Sequence, residues 1–446
     1  MTETAVIVGG GQAGAQAAVS LRQGGFTGRV VLIGDEPVLP YQRPPLSKTY
    51  LAGELAKERL FIKPAAFYDK INVERILGKT VSAIDSRQQV ISLSSGQCLS
   101  YQHLILATGG RVRQLDCPGA GHPRVHYLRT LADVEAMQSE FTAGARMVVI
   151  GGGYVGLETA AVAVKHGLNV TLLVARPTPL GRVTSPEVGK FFEDVHRQAG
   201  VTLCCNTGVS AIEDDAGDGQ VAAVVTDSGY RVLADVVVVG IGLLPNVELA
   251  ESAGVACDDG ITVDEYGRTS VGNIYAAGDC ANHPNPIYGR RLRLESVQNA
   301  VDQGKTVAAT ICGKDKPYAQ VPWFWSDQYD LKLQTAGINS GYDQALVRGD
   351  IASRSFAVFY LREGRLLAVD AINRPAEFVA ARNILSKGLS VSAERLQDES
   401  IPAKALADQT DPLVTENTAP ESAQLSAQSG VQKRSQSNAI KHDRVA

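Results

Sequence analysis

The chain has 446 residues, which at roughly 150 residues per domain sets an expectation of about three domains. Apolar residues make up 44% and charged residues 20%, enough for cores of ordinary size, and a formal net charge of -4 argues against a nucleic-acid scaffold or a polybasic membrane binder. The opening "MTETAVIVGG" has no basic region and too short an apolar run for a signal peptide or membrane span, so a cytoplasmic protein without membrane attachment is expected.

The first predicted element is a buried strand, "AVIV", running into a G-x-G-x-x-G loop of Gly9, Gly11 and Gly14. A helix, "AGAQAAVSLRQGG", and a second buried strand, "RVVLIGDE", follow. In such a unit the first glycine permits a tight turn, the second lets the backbone approach a pyrophosphate, and the third lets helix and strand pack closely. The helix N-terminus then offers free N–H groups to the phosphates, and Asp35 is placed for a ribose hydroxyl. "LILATGG" reads as a strand-to-turn segment. The device then repeats: "RMVVIGGG" is a strand leading into Gly151, Gly153 and Gly156, "LETAAVAVKHG" a helix, and "NVTLLVARP" the next strand, this time without a terminal acid. "VVVVGIGLLPN", containing Gly242, is a second strand-to-turn segment, and "TSVGNIYAAGDCAN" contains Asp279. "PWFWSDQYDLKLQTAGI" opens a set of strands with turns at "NSGYD" and "REGR", closed by the helix "PAEFVAARNILSKG". Beyond about residue 405 the chain is rich in Ser, Gln, Ala and Thr, lacks aromatic residues, and is expected to be disordered. The seven cysteines form no C-x-x-C or metal-ligand pattern and read as small buried thiols.

Two glycine loops imply two dinucleotides, and a chain that binds two most simply moves electrons between them. The ordered set of motifs resembles the two-dinucleotide flavoproteins of glutathione reductase-like architecture. There the first loop binds FAD, the second NADH or NADPH, and the segment around Asp279 is a second FAD fingerprint. Disulfide-active members carry a cysteine pair after the first strand–helix–strand unit; here "LPYQRPPLSKTYLAGE" has none. "RPPLSK", "YLRTLADVEAM", "GGGYVGLE", "GRVTSPEV", "RLESVQNA" and "PWFWSDQY" instead resemble, in order, the oxygenase-coupled ferredoxin and rubredoxin reductases of the putidaredoxin reductase type. The fold class this implies is α/β: two Rossmann-like domains plus a C-terminal α/β interface domain. The expected boundaries are 1–113 and 244–322 for a split FAD domain, 114–243 for the NAD(P)H domain, 323–405 for the interface domain and 406–446 for the tail.

The resemblance also implies roles. Lys48 is expected beside flavin N5, where a cation favours the negative charge that arrives with hydride. Glu158 is expected to pair with Lys48 and to accept from the nicotinamide amide, and the Tyr154 ring to cover the flavin until nicotinamide displaces it. Arg43 and Arg129 are expected on FAD phosphates or adenine, the Val81 backbone on adenine, Asp279 on the FAD sugar chain, and Glu295, Val297 and Trp325 along the ring. At the end of the second nucleotide strand, Val174 stands where an acid would select NADH. Arg176 and Arg182 offer guanidinium groups to a 2′-phosphate, so use of both nucleotides is expected. None of the seven histidines falls in a motif, and none receives a catalytic role. The expected activity is electron transfer from NAD(P)H through FAD to an iron–sulfur ferredoxin that feeds a Rieske oxygenase or cytochrome P450, with Arg290, Arg291 and Arg293 as a basic rim for that acidic partner. A flavin oxidase or disulfide reductase, and an NADH-sensing binding protein of the apoptosis-inducing-factor kind, are the alternatives.

Overall fold

Three five-stranded sheets organise residues 3–214 and 221–408, the part of the chain described by the computed structural model. In the first, strands Ile274–Ala276, His103–Leu106, Thr4–Val8, Arg29–Gly34 and Val73–Leu77 lie side by side in that order, all parallel. Thr4–Val8 is buried at every residue, the pattern of a central parallel strand covered on both faces. Helix Gln12–Gly24 follows it and packs on helix Val297–Ile311 closely enough that a Cβ on Gly304 would stand 2.8 Å from the Ala13 carbonyl oxygen.

The second sheet repeats the plan with strands Thr202–Cys205, Asn169–Val174, Arg146–Ile150, Val236–Val239 and Val125–Tyr127, again parallel. All of it lies between two strands of the first sheet, since the chain leaves after Leu106 and returns at Ile274. The outgoing Gly110–Val112 and the returning Leu243–Pro245 pair as a short antiparallel ladder, so the two crossings between the units run side by side. Each sheet carries its glycine loop at the C-terminal end of its central strand, where ligands of open α/β sheets bind.

The third sheet is antiparallel, in the order Trp323–Gln328, Leu331–Gly337, Arg365–Ile372, Ser355–Arg362 and Gln344–Asp350, with helix Pro375–Lys387 against it. Its inner face joins a core shared by all three units: Leu46 and Leu60 from the first, Leu157 and Phe192 from the second, Leu333 and Tyr360 from the third. A side chain from one unit is therefore positioned against the other two by apolar packing. Leu406 is fully buried in the third unit's own core, so this unit runs past the expected limit at 405. The rest of the expected disordered tail, from residue 409, lies outside the described residues. Among the described residues no helix is long and apolar enough to cross a membrane.

Candidate active site

The glycine loops are built by steric necessity. Gly9 has φ +121°, and a Cβ there would lie 2.1 Å from the Ala107 carbonyl oxygen; one on Gly14 would lie 2.0 Å from that of Gly9. Gly11 differs, because a Cβ there meets nothing within 4 Å: its open side is the cleft. Gly151, Gly156 and Gly153 repeat this division of labour, at 2.3 Å from the Gly240 oxygen, 2.0 Å from the Gly151 oxygen, and nearly open. Gly14 and Gly156 thus serve helix–strand packing, whereas Gly9, Gly11, Gly151 and Gly153 face the cleft. Both helices start at a glycine, with no side-chain cap and no acid in the first turn, so their leading N–H groups remain available to an anion.

Both loops line one cleft of about 840 Å³. Asp35, Arg43, Arg129, Asp279, Glu295, Val297, Trp325 and Gly242 also line it. Arg129 donates to Asp279 at 3.2 Å; Arg43 donates to Glu36 at 2.7 Å and to the Arg129 carbonyl at 2.7 Å. Open glycine backbone, an uncapped helix start, and carboxylates and guanidinium groups along one wall fit a dinucleotide at each loop. Val81 does not line this cleft; its side chain is buried in the core of the first unit and it pairs with Leu93 across a small antiparallel sheet, so any contact it makes with adenine falls to its backbone, as expected of it.

Where the two loops meet, the short 3₁₀ turn Pro44–Ser47 delivers Lys48, and the helix Tyr154–Lys165 delivers Glu158. Lys48 Nζ stands 2.7 Å from Glu158 Oε2, with 15% of the lysine side chain and 3% of the glutamate exposed. Ser47 donates to the same oxygen at 2.5 Å, and Ser326, from the third sheet, donates to Oε1 at 2.6 Å. Burial pushes the Glu158 carboxyl above the usual carboxylate range, while Lys48 and the two hydroxyls pull it down. The Tyr154 ring packs on Phe324 with centroids 4.3 Å apart, and burial raises its phenol. Ser47 and Ser326 were not singled out from sequence. Their only signal was position, one beside Lys48 and the other inside "PWFWSDQY".

Val174 is buried with its γ-carbons against Gly152, so a Cβ on that glycine would approach them to 2.8 Å. Arg176 and Arg182 line both the main cleft and an adjoining cavity of about 660 Å³, which also takes in Tyr154 and Tyr342. Of the three arginines expected to form a basic rim, Arg290 and Arg291 are exposed and Arg293 is not. Strand Arg290–Arg293 turns Arg293 inward, 95% buried, where it pairs with Glu295 at 2.7 Å and Asp259 at 3.3 Å. Arg291 bonds the carbonyls of Val263 and Asn282.

A cleft with two nucleotide cradles and a buried lysine–glutamate pair where they meet defines a two-dinucleotide oxidoreductase. Residues 3–304 match the pyridine nucleotide-disulphide oxidoreductase family and residues 323–407 the reductase C-terminal family. Rhodocoxin reductase of Rhodococcus erythropolis is 46% identical over 90% of this chain and 93% of its own. The ferredoxin–NAD(+) reductase component of the anthranilate 1,2-dioxygenase system of Burkholderia cepacia is 42% identical over 90% and 98%. Among solved structures, the reductase in the covalent putidaredoxin reductase–putidaredoxin complex superposes with a TM-score of 0.89 at 44% identity, covering 92% of this chain and 99% of its own. The chain belongs to the pyridine nucleotide-disulphide oxidoreductase family, and its cofactors are FAD and NAD(P)H.

Proposed function

We propose that this chain is an NAD(P)H–ferredoxin reductase of an oxygenase system, with the first glycine loop holding FAD and the second the nicotinamide nucleotide. The observation that carries the reading is the Lys48–Glu158 pair at the junction of the two cradles. Bound FAD supplies the conversion of a two-electron hydride donor into two one-electron outputs. The protein's part is to bind, orient and set charge. Gly9, Gly11 and the helix start at Gln12 hold the FAD pyrophosphate, with Asp35 and Asp279 on sugar hydroxyls. Arg43 and Arg129 neutralise phosphate or border adenine. Gly151, Gly153 and Gly242 let the nicotinamide nucleotide lie close to the backbone. Glu158 orients the nicotinamide amide, Tyr154 occupies its place between visits, and Lys48 presents a cation to the charge that develops. Trp325, Val297 and Glu295 close the cleft on its interface side. The acceptor is an iron–sulfur ferredoxin serving a Rieske oxygenase or a cytochrome P450, and the location is the cytoplasm. The units carry these roles over residues 1–113 with 244–322, 114–243 and 323 to the end of the third unit.

No cysteine is among the described residues that line the cleft, which disfavours a dithiol acceptor. The test is reconstitution with FAD, NADH and a two-iron ferredoxin. Ferredoxin reduction at a rate well above oxygen consumption supports the reading; fast oxygen consumption indifferent to ferredoxin would make the protein an oxidase.

A further inference from the structure

Glu158 does not end its hydrogen bonding at Ser326. Ser326 Oγ accepts from Gln328 Nε2 at 3.1 Å. Gln328 Oε1 lies 2.9 Å from His196 Nε2, and His196 Nδ1 lies 3.0 Å from the hydroxyl of Tyr329. Ser326, Gln328 and His196 are buried, and Tyr329 lies at the surface, 40% exposed, in the turn between the first two strands of the third sheet. The run therefore crosses all three units, from Lys48 in the first, through Glu158 and His196 in the second, to Ser326, Gln328 and Tyr329 in the third.

The direction of each bond follows from what each group can do. Lysine only donates, and a carboxylate only accepts. Ser326 has one hydrogen and spends it on Glu158, so its lone pair takes the amide N–H of Gln328. The amide oxygen of Gln328 then requires a donor, which fixes His196 as the Nε2–H tautomer. Its Nδ1 in turn accepts from Tyr329. Every donor in the run points toward Glu158. Reversing the amide would set Gln328 Oε1 against Ser326 and force the serine hydrogen off the carboxylate. Burial also pushes His196 down to about 4, so the ring stays neutral at working pH and the tautomer assignment stands.

We propose that His196 and Gln328 are positioning residues for the hydride step, acting as an ordered run of donors that orients the Ser326 hydroxyl onto Glu158 and keeps that carboxylate charged against Lys48. This rests on the reading of Glu158 given above. The charged and titratable groups that face Glu158 are Lys48 and Tyr154; along the run, His196 faces Tyr329 and Gln328. A separate ladder, Tyr360 to Asp370 at 2.6 Å and Thr335 to Asp370 at 2.6 Å, reaches Tyr154 through Thr335 without joining the run.

Gln328→Glu tests the direction without changing shape. A carboxylate at 328 accepts from both neighbours, so the Ser326 hydrogen turns away from Glu158 and His196 gains a proton. Three measurements on the FAD-loaded protein read this out. Imidazole ¹⁵N NMR, with His196→Asn to assign the signal, should show the Nε2–H tautomer in wild type and an imidazolium in Gln328→Glu. The infrared carboxylic-acid band lost in Glu158→Gln should titrate about one unit or more higher in Gln328→Glu. The pH profile of flavin reduction by NADH should move by the same amount, and Tyr329→Phe should move it far less. If Gln328→Glu fails to fold, Gln328→Met, which removes the amide but keeps volume, should shift the infrared titration in the same direction. A wild-type Nδ1–H tautomer, or an infrared titration unmoved in both 328 variants, overturns the proposal. A shifted infrared titration with an unmoved reduction profile leaves the run in place and overturns instead the role of Glu158 in reduction, so the two failures are distinguishable.

Discussion

Replacing Lys48 with Met removes the cation from the cleft while keeping most of the side-chain volume. The lysine is only 15% exposed and its partner 3%, so solvent screening of this pair is weak. A lost contact to charge that develops during reaction costs about 2–4 kcal/mol, which at 1.36 kcal/mol per tenfold is roughly 30- to 1,000-fold in rate. The structure adds a second consequence. Without Lys48, Glu158 keeps, among the described residues, the Ser47 and Ser326 hydroxyls as partners, and burial, already the largest influence on it, pushes its carboxyl further up. A carboxyl whose folded pKa lies above its unfolded value binds more protons folded than unfolded, so its contribution to stability is lost as pH rises through the folded value. Lys48→Met should therefore be close to wild-type stability in mild acid and fall behind as pH rises, with FAD still bound because the adenine end is untouched. Stopped-flow bleaching of the flavin by NADH measures the first effect, and thermal melts at several pH values the second. Reduction within a factor of two of wild type would refute the proposed role of Lys48, and a melting difference independent of pH would refute the coupling to Glu158.

Gly14→Ala and Gly11→Ala should separate folding from binding. The first puts a Cβ 2.0 Å from a backbone oxygen and should disrupt the unit, whereas the second faces open cleft and should give a folded protein that retains FAD poorly; equal FAD content by absorbance in both would contradict this. Wild type should use NADH and NADPH with kcat/KM values within about tenfold, a difference of about 1.4 kcal/mol, and Val174→Glu with Arg176→Gln should restore strong NADH preference. Steady-state kinetics decide it: a wild-type preference far above a hundredfold, unchanged in the double variant, would show that this strand end does not read the 2′ position. Asp370, which accepts from the hydroxyls of Thr335 and Tyr360, is pushed up to about 6 by burial. Wild-type stability should accordingly fall by about 3 kcal/mol as pH rises from about 4 to above 6, and Asp370→Asn should flatten that slope in urea titrations; parallel pH curves for the two proteins would count against it.

The glycine loops were legible in the sequence because their constraint is steric and local. No side chain fits at Gly9 or Gly14, so spacing and geometry are the same statement. Lys48 and Glu158 were legible as members of motifs that accompany those loops. The donors around them were not, since Ser326 lies 168 positions from Glu158 and only the folding of the third sheet onto the second unit brings them together. Arg293 was misread for a related reason. "RRLR" looks like a solvated cluster, and its first two arginines are exposed, but Arg293, on the same strand face as Arg291, is drawn in by Asp259 from a distant loop and by Glu295. Val81 was placed by resemblance alone and through its backbone, a contact on which the burial of its side chain in the core has no bearing.

A buried ion pair is weak evidence for stability, because desolvating two charges offsets most of their attraction. The arrangement around Glu158 makes sense instead as a way to present charge of one sign. The carboxylate is almost sealed, with hydroxyl donors from two further units on its oxygens and no second cation among its described partners. The lysine keeps the larger exposure. Both residues line the cleft, but the more exposed member of the pair is the cationic one, and neutral donors hold its counter-charge in place without competing for the same position. Because Lys48, Glu158 and Ser326 come from three units, that asymmetry exists only when all three are packed on their common core. A variant that loosens the third sheet should thus slow flavin reduction even where it touches no cofactor.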